Sequence, residues 1–407
     1  MNFIPQLIPW NRLDRTLLFA LTGLMAFGVL FVYSAAYNND LFSSHSTIRQ
    51  PFVKQAIFYT IGIGVAFVVC LKDYNQLARW AYVFYWLNIL MLILVLIPGI
   101  GTVRNGARRW FDLGPADFQP SEMAKVAFIL AMAQFLSRPR FELSDPKVLF
   151  KGICIALLPF GLILLEPDLG SSLMILPAGL AMVYVAGAPA GFVRKLIGGS
   201  ILIVGLALAY IFFIPTTWKP IQLPDHQKRR LMVYFGADYA KHYAGPDATN
   251  AEIHQARAMQ RKDSYNVKQA MISVGSGGLT GKGWTKGIQN TYGYLPRGVA
   301  NNDFIFSVIA EESGFAGSTI AIILYGAIFV TGLRIANRCR DRLGRIIAVG
   351  VVTMLFSHVF VNIGMNIRMM PVTGLPLPLL SYGGSSVVCS LMALGLLQNV
   401  RLYQKTI

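Results

Sequence analysis

Ten apolar runs divide this chain, each close to the ~20 residues that an α-helix needs to cross a hydrocarbon layer. Thr16–Tyr37, Gln55–Leu71 and Trp80–Val103 carry no charge, and further runs follow at 119–137, 149–166, 168–187, 192–215, 304–333, 346–367 and 378–401. Inside lipid no water satisfies backbone N–H and C=O groups, so only helices or a closed barrel can span. The regular alternation of a barrel strand is absent. The expected fold is therefore all-α: a polytopic membrane protein of ten helices with one large extracytoplasmic loop, residues 215–303, in a single membrane domain. Composition agrees, with 55% hydrophobic and 14% charged residues and a mean hydropathy of +0.53. Thr16–Tyr37 lacks a small-residue cleavage pattern and reads as the first permanent helix.

Lys and Arg set the orientation. Arg12, Arg15, Lys72, Arg79, Arg138, Arg140, Lys147, Lys151, Arg194, Lys195, Arg334 to Arg345, Arg401 and Lys405 fall on one side of the runs, which is expected to be cytoplasmic. An even number of spans then puts both termini inside and the 215–302 loop outside. That loop holds twelve Lys or Arg against five Asp or Glu, and the whole chain carries +17. Cytoplasmic arginines at anionic headgroups account for most of the chain's excess. The loop's own surplus suits an anionic, phosphate-bearing substrate, and its place outside a membrane excludes nucleic acid. Cys70, Cys154, Cys339 and Cys389 show neither disulfide nor metal spacing, and His358 reads as a polar group packed within a helix.

With this topology the conspicuous polar motifs gather on the outer face. Arg108, Arg109 and Trp110 lie between the third and fourth runs; Gln119, Pro120, Ser121 and Glu122 open the fourth, with Lys125 a turn below. Glu166-Pro167-Asp168 joins the fifth and sixth runs, and Ser381 to Ser386 leads into the tenth. Each has two readings. Glu122 and Lys125 either neutralise each other at i, i+3 or face a cavity, since ionisable groups inside a span are costly. Glu166-Pro167-Asp168 is either a tight turn with an exposed carboxylate or part of a site. The Gly275–Trp284 run fails the phosphate-loop pattern, because Ser276 and Gly283 occupy its required Gly and Ser or Thr places. What remains at Gly277 and Lys282 is a sharp turn, or backbone donors and a cation for a phosphate. Pro371, Gly374, Pro376 and Pro378 break helix geometry before the last span, a feature also found at transporter sites. Asp303, after Asn301 and Asn302 at the mouth of the eighth run, is either a helix cap or a general base.

Taken together, Gly106–Lys125, Glu166–Ser172, Gly275–Trp284, Asp303–Gly317 and Pro376–Ser386 resemble the shape, elongation, division and sporulation (SEDS) family of peptidoglycan glycosyltransferases, in order and nearly end to end. Trp284 and the Gly-Leu-Pro-Leu-Pro run at 374–378 are more similar to its RodA-type elongation branch. The resemblance implies polymerisation of lipid II into glycan strands during cell elongation, on the outer face of the cytoplasmic (inner) membrane. It places the family's essential acid on Asp303 and its helical Glu and Lys on Glu122 and Lys125. Arg108, Arg109, Trp110, Gln119, Ser121, Asp168, Gly277, Lys282, Arg297, Glu311 and Ser381 complete the expected substrate-binding set. The resemblance implies no need for ATP, and a divalent cation, Mg2+ or Mn2+, can share the charge of the departing pyrophosphate. A class B penicillin-binding protein is the implied partner, within the elongation machinery. The chain departs from the family at Arg297, where a Glu is common, in the longer approach 298–302, at Asp117, and at Arg368, which replaces a small residue. A flippase for a lipid-linked precursor and a non-catalytic scaffold are the alternatives.

Overall fold

The structure, a computed structural model, describes residues 10–37, 50–104, 107–114, 117–139, 142–213, 225–239, 249–295 and 297–404. The helices in chain order are α1 (Arg15–Tyr37), α2 (Pro51–Cys70), α3 (Tyr74–Arg79), α4 (Ala81–Leu96), α5 (Pro120–Leu136), α6 (Pro146–Leu165), α7 (Leu169–Ala186) and α8 (Ala190–Phe213). They continue with α9 (Asp225–Phe235), α10 (Asn250–Ser276), α11 (Ile288–Thr291), α12 (Arg297–Ala300), α13 (Ile305–Arg338), α14 (Arg342–Asn366) and α15 (Gly384–Tyr403). Every predicted apolar run holds one long helix. Seven of them, α1, α2, α6, α7, α13, α14 and α15, are 18 residues or longer and apolar enough to cross a bilayer. The protein is an integral membrane protein.

The starts follow local chemistry. Pro51, Pro120 and Pro146 occupy first-turn positions, where a missing N–H costs nothing. Asp145 and Asp168 cap α6 and α7 by accepting from Lys147 N and Ser171 N. α5 is buried on almost every face, packed against α4, α7 and α14, while α15 lies along α2, and α13 between α1 and α14. The outer helices turn Phe67, Trp86, Phe150, Leu165 and Ile201 outward, as lipid contact demands.

Two expectations change. The third run does not stay helical to Val103: α4 ends at Leu96, and Pro98 and Gly99 lead into a three-stranded antiparallel sheet. Its strands are β1 (Thr102–Arg104), β2 (Ala107–Asp112) and β3 (Asp117–Phe118). The tenth run likewise loses its first turns to the Pro- and Gly-bearing approach, so α15 begins only at Gly384.

The polar loop is itself partly helical. Thr249 caps α10 through a reciprocal pair with Glu252, and α10 packs along α9 and α13.

Candidate active site

Asp303 sits in the turn that opens α13, and that turn is clamped by its backbone. Asn362 of α14 donates to the Asp303 carbonyl at 2.9 Å and to the Leu375 carbonyl at 2.7 Å, and Asn366 adds a bond to Asp303 O at 3.3 Å. Ser381 donates to Asn302 O at 2.5 Å and accepts from Leu377 N at 2.7 Å, while Tyr382 N donates to Asn301 O. The broken stretch before α15 thus holds the approach to Asp303, and the predicted contact residue Ser381 spends its hydroxyl on that scaffold.

The Asp303 side chain is left to face a cavity of about 840 Å³ between α9, α10 and the start of α13. Arg229, Arg230, Arg261 and Lys262 line it, against Asp263 and Asp303. Arg229 is partly neutralised by Asp263 at 3.5 Å. Arg230 reaches from α9 to the Thr373 carbonyl, at 3.3 Å. Its guanidinium and the Asp303 carboxylate both flank Gly374, each 3.6 Å from where a Cβ would stand there. Gly374 has a φ of +74°, a conformation that strains any side chain, although the space above it would admit a Cβ. Desolvation pushes the Asp303 carboxyl up to about 6, against the pull of Arg230; Asp168 adds to the rise and Arg109 opposes it. A carboxylate poised near 6 accepts a proton far more readily than a capping Asp at its ordinary value.

Behind the cavity, residues far apart in sequence form one hydrogen-bonded group. Asp168 accepts from Gln119 at 3.0 Å and Ser121 at 3.4 Å, with Arg109 3.9 Å away. Arg109 Nε also donates to Glu166 O at 2.9 Å, and Gln119 N donates to Ser385 at 3.0 Å. Trp110 lies on β2 beneath the Arg109 guanidinium at 6.0 Å, while Arg108 ties the sheet to the end of α4 through Leu96 O at 3.1 Å. Of the two readings of the Glu166 turn, the one with an exposed carboxylate does not hold: Glu166 and Asp168 are both buried. Neither Glu166 carboxyl oxygen finds a hydrogen bond, and desolvation followed by Asp168 pushes that group up to about 9.

Glu122 and Lys125 form an ion pair of 2.6 Å within α5, and Lys125 Nζ lies 3.1 Å from His358 Nε2 of α14. All three are buried, and the space they border is only about 10 Å³. This cluster is separate from the lining of the Asp303 cavity.

The glycine-rich run has a different use. Gly314, with φ 67° and ψ −160°, breaks α13 one turn past Glu311 and frees its carbonyls and N–H groups. Lys282 N and Gly283 N donate to Glu311 O and Glu312 O at 3.0 Å, and Phe315 N and Ala316 N donate to Gly278 O and Leu279 O at 2.8 and 3.0 Å. Chain and helix approach so closely that a Cβ on Gly277 would lie 1.9 Å from Ala310 O. Lys282 pairs with the fully buried Glu311 at 2.6 Å, and Glu311 also accepts from Ser273 at 2.9 Å. Glu311 and Lys282 thus close on each other rather than on the cavity. The side chain of Arg297 lies outside the described residues.

Arg229, Arg230, Arg261 and Lys262 escaped the sequence reading. Thr249 and Glu252, three apart before an i, i+4 pattern, were the available signal that this basic stretch is a helix able to aim its charges. Among the described residues no three His, Cys, Asp or Glu side chains gather closely enough to hold a metal ion.

This arrangement can be set beside known proteins. MrdB, a peptidoglycan glycosyltransferase of Escherichia coli K12, is 32% identical over 97% of this chain and 96% of its own length. RodA of Treponema pallidum, also a peptidoglycan glycosyltransferase, is 32% identical over 96% of this chain and 98% of its own. Among solved structures, a chain of a peptidoglycan synthase complex that coordinates polymerization and crosslinking matches with a TM-score of 0.74, 28% identity, and coverage of 97% of this chain and 99% of that one. The rod-shape-determining protein RodA of Thermus thermophilus matches with a TM-score of 0.64 and 29% identity over the same shares. The cell cycle protein family of FtsW, RodA and SpoVE matches residues 15–406, so the chain belongs to that family.

Proposed function

We propose that this protein is a peptidoglycan glycosyltransferase that polymerises lipid II, with Asp303 as its general base and the cavity facing outward from the cytoplasmic membrane. The observation that carries the reading is a partly exposed carboxylate, anchored through its backbone by Asn362 and Asn366 and raised toward neutrality, in a cavity lined by four cations. Asp303 takes the proton of the acceptor sugar's 4-hydroxyl as that oxygen attacks C1 of the donor sugar. The bond from C1 to the pyrophosphate oxygen breaks, and the lipid pyrophosphate leaves. Arg230, Arg261 and Lys262 stabilise the charge that develops on it. Asp168, held by Gln119, Ser121 and Arg109, sets the field behind the base. Glu122, Lys125, Lys282 and Glu311 support the site from within the bundle, and no cytosolic nucleotide is needed because the phosphoester bond supplies the driving force.

The basic side of the runs is the cytoplasmic one in this reading, with both termini there. A transpeptidase of the class B penicillin-binding type is the fitting partner, because glycosyl transfer from lipid II makes strands and no crosslinks. The synthase complex that this chain resembles, which coordinates both activities, supports that pairing. Purified protein given labelled lipid II tests the reading. Glycan strands are expected, and their absence alongside movement of lipid II across a vesicle membrane would make the protein a flippase instead.

A further inference from the structure

A second basin of about 540 Å³ adjoins the Asp303 cavity, sharing Val233 and Arg261 with it. His254, Arg257, Arg261 and Lys268 recur along α10 at spacings of three, four and seven residues, so they share one face of the helix. Arg368 closes the basin from the end of α14, and Asp238 is the one carboxylate in its lining. Among the described residues no carboxylate pairs with Arg257, Arg261, Lys268 or Arg368.

Arg368 occupies an unusual position for its type. It follows the α14 cap Ile367 with a φ of 60°, and Met369 N and Met370 N fold back to Gly364 O at 2.7 and 3.1 Å. That is the left-handed helix ending in which glycine is favoured, since any residue with a Cβ is strained there. A glycine would end the helix better, and what the arginine adds is a cation at the basin wall. Its neighbours Ile367 and Met369 are 38% and 63% exposed, and Phe235 of α9 is 52% exposed. Exposed apolar side chains flanking a cation in sequence, at the end of a membrane helix, are the signature of the lipid interface.

We propose that this basin binds the phosphate of a lipid headgroup at the membrane surface, with Arg257, Arg261, Lys268 and Arg368 around the anion and Ile367 and Met369 in the acyl boundary. Two lipids carry that chemistry: an anionic phospholipid such as phosphatidylglycerol, and a polyprenyl pyrophosphate. Occupation of the basin would hold α9 and α10 against the end of α14, beside the Asp303 cavity. Binding of this kind requires no turnover, so it can fail while the proposed reaction stands.

The full chain in neutral phosphatidylcholine nanodiscs, titrated with short-chain phosphatidylglycerol in one arm and undecaprenyl pyrophosphate in the other, tests it by native mass spectrometry and thermal shift. Arg368→Gly suits the helix ending, so its melting temperature without ligand should equal or exceed that of the wild type. Its affinity for the bound lipid should fall roughly five-fold, and Arg257→Gln with Lys268→Gln should lower it further by about the same factor per cation. An Arg368-dependent response to phosphatidylglycerol identifies a membrane lipid as the occupant. One confined to undecaprenyl pyrophosphate assigns the basin to the lipid-linked substrate. Wild-type affinity in both variants for both lipids overturns the proposal.

Discussion

The Asp303 cavity and the Lys282–Glu311 clamp are built from the same materials, acids and bases beside a glycine of positive φ, yet they end in opposite states. In the clamp Glu311 has no exposure and Lys282 meets it at 2.6 Å, with backbone bonds closing the gap around them. In the cavity the cations outnumber the carboxylates and about 840 Å³ is left between them. The difference shows what an ionic site requires. A pair that satisfies itself is structure, whereas a surplus of one sign around one carboxylate is a place for a ligand of the other sign.

The largest expected effect on stability lies in the closed clusters. Glu122→Gln or Lys125→Met alone leaves a buried charge without its partner and should cost about 3–5 kcal/mol. The double replacement should recover most of that loss in a thermal melt, and failure to recover would mean that the pair serves something beyond its own neutralisation. Exchanging the two residues is not neutral here, because a carboxylate at position 125 would lose the 3.1 Å contact that Lys125 makes with His358. A smaller effect is expected at the glycine clamp. The Cβ of Gly281→Ala would lie 2.1 Å from Glu312 O at a φ of +80°, so about 1–3 kcal/mol should be lost. Unchanged stability there would show that the clamp opens without cost.

The mildest effect is a displaced pH profile. A base raised to about 6 is active once deprotonated, so polymerisation should rise with pH through about 6 and level off above it. Arg230 lowers that value, so Arg230→Gln should move the rising limb to higher pH. A limb that stays in place would separate Arg230 from Asp303.

Much of this was legible in the sequence. Ten helical runs follow from run length alone, seven of them long and apolar enough to cross a bilayer among the described residues. The grouping of Gln119 with Asp168 and of Ser381 with the approach to Asp303 follows from counting the runs. The rest depends on contacts between distant residues. Nothing near Lys282 marks Glu311, 29 positions away, as its partner. Gly314 follows Glu311-Glu312-Ser313 within a run that reads as unbroken helix, yet its positive φ redirects the chain. The sheet over 102–118 was hidden because its strands are too short for alternation to show. Arg230 and Arg261 read as scattered loop charge until α9 and α10 give them a direction.

Asp303→Asn compared with wild type in a lipid II polymerisation assay, with melting temperature measured in parallel, tests the central claim most directly. The N-cap of α13 is Phe304 and no side chain caps it, so Asp303→Asn removes no cap bond. Because the folded carboxyl is raised above its ordinary value, ionised Asp303 subtracts stability as pH rises through about 6, so the variant should be at least as stable at neutral pH. Its polymerisation rate should nevertheless fall by ~10²–10⁴. A stable Asp303→Asn protein that makes glycan at near wild-type rate would remove Asp303 from the chemistry and contradict the account.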